Sequence, residues 1–185
     1  MKIALIMLAA GNSRRFGSNK LLYEIDGKPM YLHVLEKLKA VAEETGKITV
    51  VTQYEEIEQT ARALGANVYI NPHPDEGISS SMKIGLKANL DADACLFAVS
   101  DQPWLTAGTI KKLIELLYSS AKGIACVSCE GKLGNPCIFT KKYYDELLSV
   151  TGDRGGKSVI TMHRDDTVLL KVRDIKELTD MDVKS

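Results

Sequence analysis

Six consecutive apolar residues, Ile3-Ala4-Leu5-Ile6-Met7-Leu8, run straight into a loop that carries two glycines, Gly11 and Gly17, and three cations, Arg14, Arg15 and Lys20. A stretch this short and this apolar reads as a buried strand, residues 3–9, and a first strand that ends in a glycine loop points to an open α/β sheet. Such sheets place polyphosphates at the carboxyl ends of their strands. Gly11 and Gly17 let the backbone approach a ligand closely and take dihedrals that other residues avoid. Backbone N–H groups, with the side chains of Arg15 and Lys20, supply positive charge there. A solvated basic turn accounts for the charges, but not for their position after strand one.

The rest of the chain alternates strand and helix. Leu32, Leu35, Leu38 and Val41 share a face in a helix over Tyr31–Ala42, entered at Pro29. Ile48–Thr52 is a β-rich strand, and Ile57, Ala61 and Leu64 mark a helix that Gly65 ends. Ala66–Ile70 is a third strand, stopped by Asn71-Pro72-His73-Pro74, and Ser79–Leu90 is helical. Ala94–Val99 is apolar throughout, as strands buried on both faces of a parallel sheet are. Thr106 is placed to cap a helix over Gly108–Tyr118. The second half is less regular. Gly123–Ser128 and Pro136–Phe139 read as short strands joined by Glu130-Gly131-Lys132-Leu133-Gly134-Asn135, with helices over Lys141–Val150 and Ser158–Arg164 and a last strand over Thr167–Val172. The expected architecture is a three-layer α/β domain, doubly wound on a mostly parallel sheet, with a small β excursion in its second half.

Composition narrows the partners. The 185 residues suit one domain, 1–185. Lys plus Arg equals Asp plus Glu, 24 each, so no basic excess points to nucleic acid and no polybasic tail to a membrane surface. No apolar run is long enough to span a bilayer. Met1-Lys2 before an apolar run imitates a secretion signal, but a cationic loop stands where small residues would mark cleavage, so the expectation is a cytoplasmic protein. Cys126-Val-Ser-Cys129 is a single C-x-x-C on a strand, where positions three apart face opposite sides, so buried thiols are expected of Cys95, Cys126, Cys129 and Cys137 rather than a metal site. His33, His73 and His163 lack metal-ligand spacing.

A second candidate site follows the strand Ala94–Val99. Ser100-Asp101-Gln102-Pro103-Trp104 puts Asp101 at a carboxyl end of the sheet, on the same edge as the glycine loop. One carboxylate beside triphosphate oxygens is how Mg²⁺ is usually held. An Asp-Pro helix-entry turn is the plain alternative.

The loop has neither the G-x-G-x-x-G spacing of a dinucleotide site nor Lys after its last glycine. Leu8-Ala9-Ala10-Gly11-Asn12-Ser13-Arg14-Arg15-Phe16-Gly17-Ser18-Asn19-Lys20 instead resembles the L-A-A-G-x-S-x-R-F-G-x-x-K loop of nucleotidyltransferases, and most closely the molybdenum cofactor cytidylyltransferases of the MobA-like group. The resemblance covers nearly the whole chain in motif order. It implies a Rossmann-like nucleotidyltransferase fold, CTP or another NTP bound by Leu8 to Arg15 and Lys20, and Mg²⁺ on Asp101. It implies catalytic roles for Arg15, Lys20 and Asp101. Leu8-Ala9-Ala10-Gly11 favours the cytidylyl branch, since the guanylyl branch usually carries L-A-G-G.

The resemblance assigns further segments. Gly77, Ser79, Ser80 and Ser81 match an element that lines nucleobase and ribose, although one serine alone would suffice as a helix cap. Asn135 and Pro136, in Gly134-Asn135-Pro136, match an acceptor-side turn. Gly152, Asp153, Arg154 and Gly155 match an acceptor-facing loop. Thr151 to Ser158 ends like an ATPase phosphate loop but begins with Thr and follows a helix, so that identification fails. Asp182, in Asp180-Met181-Asp182, matches a metal-linked position best, but the Thr-Pro that normally follows is absent and a frayed terminus competes.

Together these imply transfer of CMP to the phosphate of molybdenum-molybdopterin, with pyrophosphate released. The product would be a cytosine dinucleotide for molybdenum hydroxylases. Guanylyl transfer and transfer to a sugar or alcohol phosphate are the neighbouring readings. A non-catalytic carrier that hands a cofactor to a hydroxylase apo-enzyme is the reading of another class.

Overall fold

The structure, a computed structural model, describes residues 1–12 and 19–181. Its elements in chain order are β1 (Ile3–Ala9), β2 (Glu24–Ile25), β3 (Lys28–Pro29), α1 (Met30–Thr45), β4 (Ile48–Thr52), α2 (Glu55–Ala63), β5 (Asn67–Ile70) and α3 (Ile78–Lys87). There follow β6 (Ala94–Val99), α4 (Ala107–Ser119), β7 (Ile124–Cys129), β8 (Lys132–Thr140), α5 (Tyr144–Ser149), α6 (Lys157–Met162) and β9 (Thr167–Lys171). The described residues form a seven-stranded sheet in the order β5-β4-β1-β6-β8-β7-β9. In line with the expected mostly parallel sheet, β1, β4, β5 and β6 pair in parallel, with β1 between β4 and β6.

Strand periodicity divides the core. Ile3, Leu5, Met7 and Ala9 point into one apolar layer with α1, α2 and α4, while Ala4, Ile6 and Leu8 point into the other with α3, α5 and α6. Both layers are closed over β1, whose side chains are all buried. The result is helix–sheet–helix, and among the described residues no helix is long and apolar enough to cross a membrane.

The second half departs from the sequence reading. The expected loop over residues 130–135 is a tight turn. Glu130 and Gly131 both have positive φ, 49° and 79°, which is what a two-residue hairpin requires. The strand β8 therefore begins at Lys132 and runs through Gly134-Asn135-Pro136, whose Asn135–Pro136 bond is cis. Its pairing with β7 shifts register between Cys126 and Ser128, so these turn-like residues are absorbed in an irregular stretch of strand. Since β8 is antiparallel to both β6 and β7, its first residues lie at the edge where β1, β4 and β6 end. A further hairpin, β2–β3, turns on Asp26-Gly27, again with two positive φ values, 51° and 74°.

Candidate functional site

The parallel register places three strand ends side by side. Ala9 stands opposite Thr52, and Leu8 opposite Val99. The segments after β1, β4 and β6 therefore open on one edge. Leu8, Ala9 and Ala10 are buried, so only their backbone faces that edge. The Gln53 side chain donates to the Ala10 carbonyl and to Asn12 Oδ1, both at 2.9 Å, and the Tyr54 hydroxyl donates to the Gly11 carbonyl at 2.8 Å. Two successive carbonyls are thus turned toward β4. Gly11 does not have the positive φ its glycine suggested. No described atom lies within 4 Å of a Cβ built on it, so what the residue provides is open space for a close approach.

Asn19 caps a 3₁₀ turn over Lys20–Leu22 by accepting from the Leu21 amide at 3.1 Å, and buried Leu21 anchors that turn in the core. This aims Lys20 across the edge. Its Nζ donates to Asp101 Oδ2 at 2.8 Å, with both side chains about one-fifth exposed, 21% and 22%. Two residues singled out separately in the sequence are thus in contact. Ser13, Arg14, Arg15 and Gly17 lie outside the described residues, as does Asp182.

The Asp101 segment is also held from the other end of the chain. The Met181 amide donates to the Asp101 carbonyl at 2.9 Å. Gln102, 2% exposed, donates through Nε2 to the Leu178 carbonyl at 3.0 Å and to Asp180 Oδ1 at 2.9 Å. Glu177 Oε2 accepts from the Thr106 amide, the Thr106 hydroxyl and the Thr109 hydroxyl at 3.2, 3.0 and 2.6 Å, while Thr106 caps α4 as expected. Lys176 sits over the Trp104 ring, 4.8 Å from its centroid, which occupies that face of the indole. Burial first, and then the charge of Asp101, push the Asp180 carboxyl above its ordinary value. Asp180 is thus an acid of the edge that sequence reasoning passed over in favour of Asp182, and Gln102 was not singled out at all.

Ser80 and Ser81 meet a partner the sequence did not suggest. Asn71, read only as a strand stop, is 2% exposed and donates to the hydroxyls of Ser80 and Ser81 at 2.8 and 2.9 Å. Ser80 also donates toward the carbonyls of His73 and Gly77, and Ser79 and Ser81 are buried. None of these hydroxyls caps α3; they secure its entry. Gly77 has φ +88°, and a Cβ there would lie 2.5 Å from the Gly152 carbonyl carbon and 2.6 Å from Asp153 Oδ1. The Ser79 amide donates to the Gly152 carbonyl at 3.1 Å. The segment expected at the nucleotide and the loop expected at the acceptor therefore touch.

Gly152 has φ +66°, and Asp153 and Arg154 are exposed beside it. The helix after them, α6, has six residues, too short for its N-terminus to bind an anion by itself, so Arg154 is the main positive charge of this loop. A Cβ on Gly156 would lie 2.7 Å from the Phe139 ring, which ties the same loop to β8. The four cysteines are free and buried, and Cys126 stands directly opposite Cys137 across β7 and β8. Among the described residues no group of three or more His, Cys, Asp or Glu side chains is placed to hold a metal unaided.

Residues 5–168 match the MobA-like NTP transferase domain. A probable molybdenum cofactor guanylyltransferase from Pyrococcus horikoshii is 33% identical over 130 residues, which cover 69% of this chain and 62% of that protein. The chain thus matches less than two thirds of that relative's length. A nucleotidyl transferase from a Methanothermobacter species superposes with a TM-score of 0.80 at 18% identity, covering 97% of this chain and 91% of the other. A Mycobacterium tuberculosis H37Rv protein, solved as a complex with manganese, superposes with a TM-score of 0.74 at 19% identity, covering 94% and 90%. At these identities the structural likeness shows the fold.

Proposed function

Because the chain belongs to the MobA-like NTP transferase domain family, we propose that it transfers CMP from CTP to the phosphate of molybdenum-molybdopterin and releases pyrophosphate. The observation that carries this reading is the 2.8 Å contact between Lys20 and Asp101, which joins the segments after β1 and β6 on one edge. The Gly11 backbone is open at that edge, as an approaching triphosphate requires.

The acceptor phosphate is already anionic, so its attack on the α-phosphorus needs no strong base. The barrier is mostly charge repulsion and alignment. Lys20, and Arg15 from the same loop, offset charge on the departing pyrophosphate. Asn135, Pro136, Gly152, Asp153, Arg154 and Gly155 form the acceptor side of this reading, with Arg154 the phosphate contact.

The residues fit a divalent cation. The Met181 amide on the Asp101 carbonyl and the Gln102 carboxamide on Asp180 bring two carboxylates to one edge, and Mg²⁺ is commonly held by one or two carboxylates together with substrate phosphates. Asp101 and Asp180 would hold it, with Asp182 next along the chain. Bound there, Mg²⁺ would neutralise triphosphate charge. Lys20, 2.8 Å from Asp101, would meet the same phosphates from the side of the first loop.

The choice of base rests on Ala10, a residue that the guanylyl branch usually replaces by glycine. A second reading, guanylyl transfer, is favoured by the name of the Pyrococcus horikoshii relative. Pyrophosphate release with Mg²⁺ and molybdenum cofactor, comparing CTP, GTP, ATP and UTP, separates the two. Release with CTP alone supports the proposal, and release with GTP alone replaces it by the second reading. Release with neither overturns transfer to this acceptor.

A further inference from the structure

We propose that Gln102 is a positioning residue. Its carboxamide holds Asp180 against the Asp101 segment, so that an acid near the end of the chain becomes part of the phosphate-handling edge. This rests on the nucleotidyl-transfer reading above and deepens it by naming what assembles that edge.

Three observations converge. The Nε2 of Gln102 spends its two protons on the tail, on the Leu178 carbonyl at 3.0 Å and on Asp180 Oδ1 at 2.9 Å. The Asp101 carbonyl takes the Met181 amide at 2.9 Å, so Leu178 before Asp180 and Met181 after it are both tied to the Asp101–Gln102 segment. Finally, Gln102 is 2% exposed, yet its Oε1 has no hydrogen-bond partner among the described residues. Buried acceptors are rarely left unpaired, and a side chain serving only to fill space there would be apolar.

The chemistry explains why this residue is an amide. Glutamate at 102 would have the same size but no proton to donate, and would add a third negative charge beside Asp101 and Asp180. Leucine would fill the space and release the tail. Only a neutral donor of this length draws a carboxylate toward another carboxylate without neutralising either one. Both acids then stay available to a cation, while Glu177 on Thr106 and Thr109 fastens the tail further along.

The test is Mn²⁺ binding to the full chain with CTP present, read from the free-ion electron spin resonance signal, for wild type, Gln102→Leu, Asp180→Ala and the double variant. Residues that support metal ligands typically change affinity about 10- to 100-fold. Gln102→Leu is expected to weaken Mn²⁺ binding by that factor. Because Gln102 acts through Asp180, the double variant should bind no worse than Asp180→Ala alone. Amide exchange over residues 174–181 should quicken in Gln102→Leu, while the unfolding temperature changes little. Should Gln102→Leu not fold, Gln102→Met, which keeps the length but has no proton to donate, serves in its place with the same expectations. Wild-type Mn²⁺ affinity in the variant, or losses that add in the double variant, would overturn the proposal. A wild-type chain that releases no pyrophosphate but shows this coupling would fail the nucleotidyl-transfer reading and keep the role of Gln102.

Discussion

The Ser79 amide donates to the Gly152 carbonyl at 3.1 Å, and at the same junction Gly77 has no room for a side chain. Helix α3 and the 152–155 loop are therefore one packed unit, fixed by backbone. Gly77→Ala must relieve both a positive φ of 88° and a contact of 2.5 Å to backbone. It is expected to lower stability by about 1–3 kcal/mol, the usual cost of overpacking. Urea unfolding checks it, and an unchanged midpoint would mean that the junction opens freely.

Lys20→Ala should reduce turnover about 100- to 1,000-fold, as loss of one donor to a developing oxyanion does. Steady-state pyrophosphate release measures it. Near-normal turnover would remove Lys20 from the chemistry and leave it as a partner of Asp101 only.

Asp101→Ala should abolish activity together with its dependence on divalent metal. Mg²⁺ titration of pyrophosphate release is the measurement. A variant that keeps full activity, saturating at the same Mg²⁺ concentration, refutes the metal role.

The acid limb of stability should depend on Asp166, far from the candidate site. Tyr143 donates to its Oδ2 at 2.6 Å, Lys142 at 2.9 Å, and the Gly123 amide donates to Oδ1 at 3.1 Å. The Tyr143 hydrogen bond first, and then that of Lys142, bring its carboxyl down to about 2. A carboxylate depressed on folding stabilises above its unfolded value of about 4, and that stabilisation is lost as pH falls toward the folded value. Melting temperatures of wild type and Asp166→Asn should therefore differ at pH 7 and converge by about pH 2. A constant difference across that range would assign the effect to shape instead of charge.

The thiols should be silent in the folded protein. Burial pushes Cys95 and Cys126 up to about 11 and Cys137 well above its ordinary value. A thiol reagent at pH 8 should report four thiols in denaturant and react slowly without it. Fast stoichiometric reaction of the native chain would show that β7 and β8 open readily.

What was legible in the sequence was what local patterns encode. The strands β1 and β6 are continuous apolar runs and β4 is rich in β-branched residues because both of their faces are covered, and Thr106 caps α4 as its position implied. The start of β8 was hidden because Gly134-Asn135-Pro136 has the composition of a turn, whereas the true turn, Glu130-Gly131, is signalled only by its backbone angles. The hairpin at Asp26-Gly27 carried a recognisable signal that the strong helix pattern after Pro29 overshadowed. Lys20 and Asp101 could each be found from the strand before them. Asp180 and Gln102 could not, because their contact joins positions 78 residues apart through polar groups that show no periodicity.

The reversal of β8 divides labour along the chain. The loops proposed to handle phosphate draw mainly on residues up to 101, whereas β8 begins a separate, later stretch at the same edge, and the 152–155 loop proposed for the acceptor belongs to that stretch. Substitutions in the later stretch can reshape what is presented to the nucleotide while leaving the earlier loops intact. A lineage built on this plan can change its acceptor without reinventing its chemistry.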